Sequence, residues 1–395
     1  MRRLISVIVL ATSGLLLSLV CSSVLYGNPL NSDDESPIPA RSIDLRTLGY
    51  VIPTDKRDVR AYDFMKDPVT FLDDGTLAVS FFEKNDHPGL SRRDGTPGGR
   101  FLFHSVLLNP VTGDVVGQRT WGNAGYWNSL LPLQNGNFFV QSNEWLMIYS
   151  KELREITRRN VEVPGDLLPR FSVSPSGRSL YEFMDAYDDQ RGWLTTINLL
   201  DTVTLEPKQS KLTPGHADET VSDGQVVYSL ANPRNELVLF VYNADGSSPP
   251  WGPMLLRKRE KLAGLLSRSG CKSETFVDPT VLAVTGDCPL LLLLESGKKI
   301  ALLHSRRGYH FGGDVQPSRH RRRFAFVQSQ DRGESSLVAR LEVSVYDLDR
   351  QKEIFVARVA PVPKFKFAFA LSPDGSLLAV QTDSLLRVWR LAPPD

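Results

Sequence analysis

The chain has 395 residues, and 46 basic side chains stand against 45 acidic ones, a net charge of +1 with 41% hydrophobic residues. So even a balance excludes a global field aimed at nucleic acid, and any electrostatic specificity has to be local. The length suffices for a sizeable core and suggests two or three ordinary domains, unless the fold grows by repetition.

The chain opens with Arg2 and Arg3, an apolar run from Leu4 to about Val20, and the small residues Cys21, Ser22 and Ser23. This is the layout of a secretory signal over residues 1–27, with cleavage after Ser23 or after Gly27. Ser18-Leu19-Val20-Cys21 resembles a bacterial lipobox, although Val20 stands where that motif takes Gly, Ala or Ser. The run over 4–26 is also long enough to stay in place as a membrane anchor. All three fates export the bulk of the chain, so the expected location is periplasmic, extracellular or membrane-anchored facing outward. Residues 28–40, NPLNSDDESPIPA, are polar and proline-rich and read as a linker.

Beyond the linker one local pattern recurs, an apolar stretch that enters a tight polar turn and leaves into a second apolar stretch. It appears around Gly75 (FLDDGTLAVSFF), Gly136, Gly177, Gly224, Pro279, Arg319 and Gly375 (LSPDGSLLAVQ). Those seven anchors span 300 residues over six intervals, a mean period of about 50. A third strand follows each copy, and often a second turn and a fourth strand. In the first copy these are FLFHSVLLN, the turn Pro110–Asp114 and VVGQRTW. Four antiparallel strands per repeat is the propeller unit. The expected fold is therefore all-β, a single β-propeller of about seven four-stranded blades over residues 41–395. Runs such as Leu290–Leu294, apolar on both faces, suit strands buried between neighbouring blades. The last copy stops one strand short, and Arg41-Ser42-Ile43-Asp44-Leu45 has no partner in the first, so it is expected to supply the missing outer strand and close the ring.

The C-terminal stretch FALSPDGSLLAVQTDSLLRVWRL resembles a WD40-type repeat, with Ser372-Pro373-Asp374-Gly375 in the first turn and Val388-Trp389 closing the third strand. Ser174–Gly177 echoes the same turn. The Gly-His dipeptide is absent, and Arg390 stands where Asp would follow Trp389. The resemblance is to the broad superfamily of WD40-like and YVTN-type β-propeller repeats; it implies a fold and a binding platform, and no reaction.

Four groups of residues stand out as candidates. Cys271 and Cys288 are an even pair outside the leader, and in an oxidising compartment they are expected to form a disulfide worth about 3 kcal/mol. The segment 83–100, EKNDHPGLSRRDGTPGGR, is a long loop carrying Asp86 and His87, a base or metal-ligand pair or else a solvated turn. Asp185, Asp188 and Asp189 cluster in DAYDD without the alternation and glycine of a calcium loop, which leaves a polar hairpin tip as the plainer reading. Arg319, His320, Arg321, Arg322 and Arg323 crowd one turn, with Lys298 and Lys299 expected nearby on the same face. Such a patch suits an acidic protein or an anionic envelope polymer, unless it is a solvated turn balanced by neighbouring acids.

No nucleophile elbow, H-E-x-x-H or glycine-rich phosphate loop occurs in the sequence, and no cofactor is expected. The function expected is that of an exported, non-catalytic propeller binding a protein or an envelope polymer. The alternative is a lactonase- or cyclase-like small-molecule enzyme with Asp86, His87 and the Asp185 loop converging on the axis.

Overall fold

The computed structural model describes residues 37–52, 65–66, 68–84, 101–123, 128–142, 145–161, 169–214, 220–223, 225–231, 237–243, 253–254, 271–278, 280–286, 290–294, 299–332, 335–364 and 366–392. All of them belong to one compact unit, Pro37–Asp395. The expected leader and most of the expected linker lie outside them. Among the described residues no helix is long and apolar enough to cross a membrane.

The strands form seven hydrogen-bonded sheets arranged as an all-β propeller. Sheet one holds Val69–Asp73, Thr76–Lys84, Phe101–Leu108 and Val115–Asn123 in sequential antiparallel order. Sheet two runs from Asn128–Pro132 to Glu155–Asn160 and gains a fifth strand, Met65–Lys66, parallel to Asn128-Ser129. Sheets three to six follow as meanders: Arg170–Val173 to Pro207–Pro214, Val221–Ser222 to Pro253–Met254, Cys271–Asp278 to Lys299–Leu303, and His310–Pro317 to Lys352–Arg358. Sheet seven joins the two ends of the described chain. Phe367–Leu371, Leu377–Thr382 and Leu385–Arg390 are completed by Arg41–Asp44, paired antiparallel with Arg41 opposite Val388. The strand that the sequence leaves without a partner at residue 41 fills the place left empty at residue 390. The expected linker is tied down at its end as well, because Trp389 Nε1 donates to the Pro37 carbonyl at 2.8 Å.

Strand alternation explains the two-sided apolar pattern. Successive side chains point to opposite faces. In sheet seven, Leu377, Ala379, Leu386 and Val388 pack into the same core as sheet one, while Leu378, Val380 and Trp389 pack with residues of sheet six. Sheet two divides likewise: Phe138, Val140 and Tyr149 face sheet one, and Phe139, Leu146 and Ile148 face sheet three. Sheets two and seven thus each complete two cores, which is why LLAVQT is buried at all six positions.

The turns between first and second strands lie at one end of the strands and are stitched to each other. Gln134 N donates to Gly177 O at 3.0 Å, from sheet two to sheet three. Gly177 has φ +75° and a Cβ there would meet the Leu133 carbonyl carbon at 2.9 Å, so a glycine is required at this approach. Ser176 Oγ donates to Asp223 at 2.5 Å, from sheet three to sheet four. Asp374 N donates to Asp74 Oδ1 at 2.8 Å, joining sheet seven to sheet one.

Candidate functional site

The basic turn of sheet six, Ser318–Arg323, sits in this stitched face and does most of the joining. Arg323 is 2% exposed; its Nε bonds Asp347 at 3.1 Å within sheet six, and its Nη1 donates to Gly375 O at 2.9 Å in sheet seven. Asp347 loses hydration, which pushes its pKa up, yet the Arg350 and Asp349 amides and the Arg323 guanidinium outweigh that and hold it below the usual carboxylate range. Arg322 bonds Asp278 of sheet five at 3.3 Å and Asp349 at 3.0 Å. His320 N donates to Pro373 O in sheet seven.

Arg319 goes furthest. Its guanidinium donates to Phe71 O at 3.2 Å and Leu72 O at 3.5 Å in sheet one, and to the Leu133 carbonyl at 2.9 Å beside sheet two. Those sheets lie beyond sheet seven from its own, so the side chain reaches across the axis. Desolvation pushes its pKa down to about 10, partly offset by Asp74 and Asp73 nearby, and it remains a cation at neutral pH.

The expected basic patch is thus partly spent inside the fold. Arg319, Arg322 and Arg323 are engaged within the protein, because carbonyls and carboxylates of other sheets converge on this turn. The groups left to solvent are His320 and Arg321, with part of Arg322. Among the described residues the Arg321 guanidinium has no hydrogen-bond or ion-pair partner. Lys298 lies outside the described residues; Lys299 opens the strand Lys299–Leu303, and its side chain lies outside them too.

The turns enclose a depression of about 150 Å3. Its walls are Pro175 and Ser176 of sheet three, Val277 and Asp278 of sheet five, and Ser318–Arg322 of sheet six. Beside it, Asp74 and Asp374 form a carboxyl pair across the joint between sheets one and seven. Desolvation and the facing Asp374 carboxylate hold Asp74 above the ordinary range. Asp374 is desolvated as well, but the Ser372 hydroxyl at 2.6 Å and the Ser376 amide and hydroxyl keep it below that range. The Ser-Pro-Asp-Gly turn thus braces the Asp374 carboxylate, and the pKa values of the two neighbours are pushed in opposite directions.

The acidic candidates separate rather than converge. Asp185 bonds Arg170 at 2.9 Å and accepts from Thr195 Oγ1 at 2.6 Å, directly across the strand pair. Asp188 accepts from the amides of Gln190 and Arg191 and shapes the hairpin turn, and Asp189 is exposed at its tip. Among the described residues no group of three His, Cys, Asp or Glu side chains is placed to hold a metal ion. Asp86 and His87 lie outside the described residues, as does Cys288; Cys271 opens sheet five with its backbone opposite Gly286.

Two buried carboxylates escaped the sequence reading. Glu182 is bonded by Arg159 of sheet two at 3.2 Å and by Asn198 at 2.8 Å. Glu342 is bonded by Arg306 at 2.6 Å, and by Tyr309 and Arg358 at 3.3 Å each. The available signal was an acid set inside an apolar strand, as in LYEF and LEVSV, where burial demands a partner.

No protein-family model matches the chain, and no curated protein matches it in sequence. Solved structures match it in fold. A chain of the mitotic checkpoint complex aligns with a TM-score of 0.52 at 13% identity, over 93% of this chain and 100% of that one. A chain from the complex of BBS1N with ARL6DN gives 0.44 at 13% identity, over 74% and 88%. A eukaryotic initiation factor chain gives 0.39 at 12%, over 81% and 74%. At such identities the likeness is one of architecture alone, that of the β-propeller.

Proposed function

We propose that this chain is an exported, non-catalytic propeller of seven blades, one per sheet, that binds an acidic protein or an anionic envelope polymer through its turn face. The observation that carries the reading is the depression beside sheet six, where Arg321 and His320 remain exposed although the rest of the turn is engaged within the fold. A rigid rim with unspent positive charge favours recognition of an anionic partner. One fold neighbour is a chain of the mitotic checkpoint complex, which suits a binding role. Export rests on the leader sequence, and a Cys271–Cys288 bridge on the pairing of Cys271 with Gly286, two positions before Cys288. The enzyme reading loses support at Asp185, whose carboxylate is committed to Arg170 and Thr195.

The test is site-specific photo-cross-linking in the native envelope from position 178, exposed on the sheet-three turn beside the depression, and, as the opposite-end control, from position 189. A single stoichiometric adduct from 178, absent from 189 and weakened by salt, is the expected result. Adducts from 189 alone, or from neither site, would overturn it.

A further inference from the structure

Basic side chains line much of the depression. Arg319 lies at the base, held by carbonyl oxygens of other sheets and by no carboxylate at bonding distance. Arg322 forms part of the wall, shared between Asp278 and Asp349. His320 and Arg321 stand exposed at the rim. Asp278 is the one carboxylate in the lining. Asp73 and Asp74 act on Arg319 from behind, but Asp73 is already bonded to Lys151 at 3.0 Å and Asp74 faces Asp374. Carbonyls carry only partial charge, so anchoring Arg319 on them leaves its cation unneutralised. The lining therefore holds surplus positive charge in a concavity, where protein walls focus the field.

Size narrows the ligand. About 150 Å3 is well below the roughly 300–1,000 Å3 of sites that enclose drug-sized molecules. It admits one compact group and leaves whatever carries that group outside. A carboxylate brings one charge and two oxygens in a plane. A phosphate monoester brings a charge of about −1.5 to −2 and three strong acceptors spread in three directions, which suits the two exposed donors at the rim and the fixed charge beneath them. We infer that the depression binds a phosphate monoester group, with Arg321 and His320 as direct donors and Arg319 as a fixed charge beneath. This rests on the turn-face reading and narrows it, since the partner or polymer then presents phosphate esters.

The experiment is calorimetric titration of the intact chain with inorganic phosphate and with glycerol phosphate, at an ionic strength fixed by chloride, with acetate as the monoanion control. One site per chain is expected, occupied by both phosphates and not by acetate. Arg321→Ser is expected to weaken it threefold or more with thermal unfolding unchanged, and His320→Asn to weaken it as well. No saturable binding at millimolar phosphate, a loss below threefold in Arg321→Ser, or binding of inorganic phosphate alone as an adventitious ion would each overturn the inference. Cross-linking from position 178 that persists without phosphate binding sinks this inference and leaves the turn-face reading standing. Phosphate binding with no cross-linked partner does the reverse.

Discussion

The two charged runs of the sequence, 319–323 in sheet six and 185–189 in sheet three, look alike as strings and meet opposite fates. The acidic run dissolves into local roles. Asp185 bonds side chains on the two adjacent strands, Asp188 shapes its own turn, and Asp189 faces water. The basic run reaches outward, to sheets one, five and seven and to Leu133 beside sheet two. The difference lies in which end of the strands each occupies. A hairpin tip between second and third strands stands clear of its neighbours. The turns between first and second strands meet one another, and there the carbonyl oxygens of Phe71, Leu72, Leu133 and Gly375 take their bonds from the long side chains of Arg319 and Arg323.

The sharpest way to break that contrast is Arg323→Ala, which leaves Asp347 buried and unpaired. Removing one partner of a buried ion pair costs about 3–5 kcal/mol, and urea unfolding should show a loss of that size. Arg319→Ala should come next, at about 1.5–3 kcal/mol for hydrogen bonds to a charged donor, read by the same titration. A loss under about 0.5 kcal/mol, the range of ordinary surface substitutions, would return Arg319 to the solvated reading. Asp185→Asn should cost about 1 kcal/mol or less, since Asn still accepts from Thr195 and the pair with Arg170 is only partly buried.

The smallest effect concerns the joint between sheets one and seven. Asp74 has its folded pKa raised, so its contribution is fully present below the unfolded value near 3.8 and is lost as pH rises through the folded value. Asp74→Asn keeps an acceptor for the Asp374 amide and cannot ionise. Wild type should therefore lose stability relative to Asp74→Asn as pH rises through the acidic range, measured by thermal unfolding from pH 3 to pH 7. A constant difference across that range would mean that the two carboxyls do not share a proton.

Much of the fold was legible because its information is local. Polar turns at seven places and alternating apolar strands between them mark hairpins, and the strand missing after Leu391 matched the spare one at Arg41. The candidate site was legible only as a density of charge. Nothing near Arg319 in the sequence announces that its acceptors are the carbonyls of Phe71 and Leu133, 248 and 186 positions away. Backbone acceptors have no residue-type signature, so side chains that bind them look unpaired in a sequence. Asp185 was obscured for a related reason. Its partners are set by strand register, Thr195 opposite and Arg170 diagonal, and charge spacing along one strand does not record register.

The closing strand also orders events in time. Pro37 and Trp389 meet across 352 positions, so sheet seven cannot be finished until nearly the whole chain exists. At synthesis rates of about 5–20 residues per second, Arg41–Asp44 waits roughly 20–70 s for its partner. Throughout that interval the nascent protein carries an unpaired strand at its front and an unfinished ring behind it, the kind of exposed edge on which chains aggregate. Non-local pairing of this sort also slows folding, because the loop must close before any contact in the seam forms. Removing either Arg41–Asp44 or Leu385–Arg390 would open the same seam, which makes the two strands a single point of vulnerability.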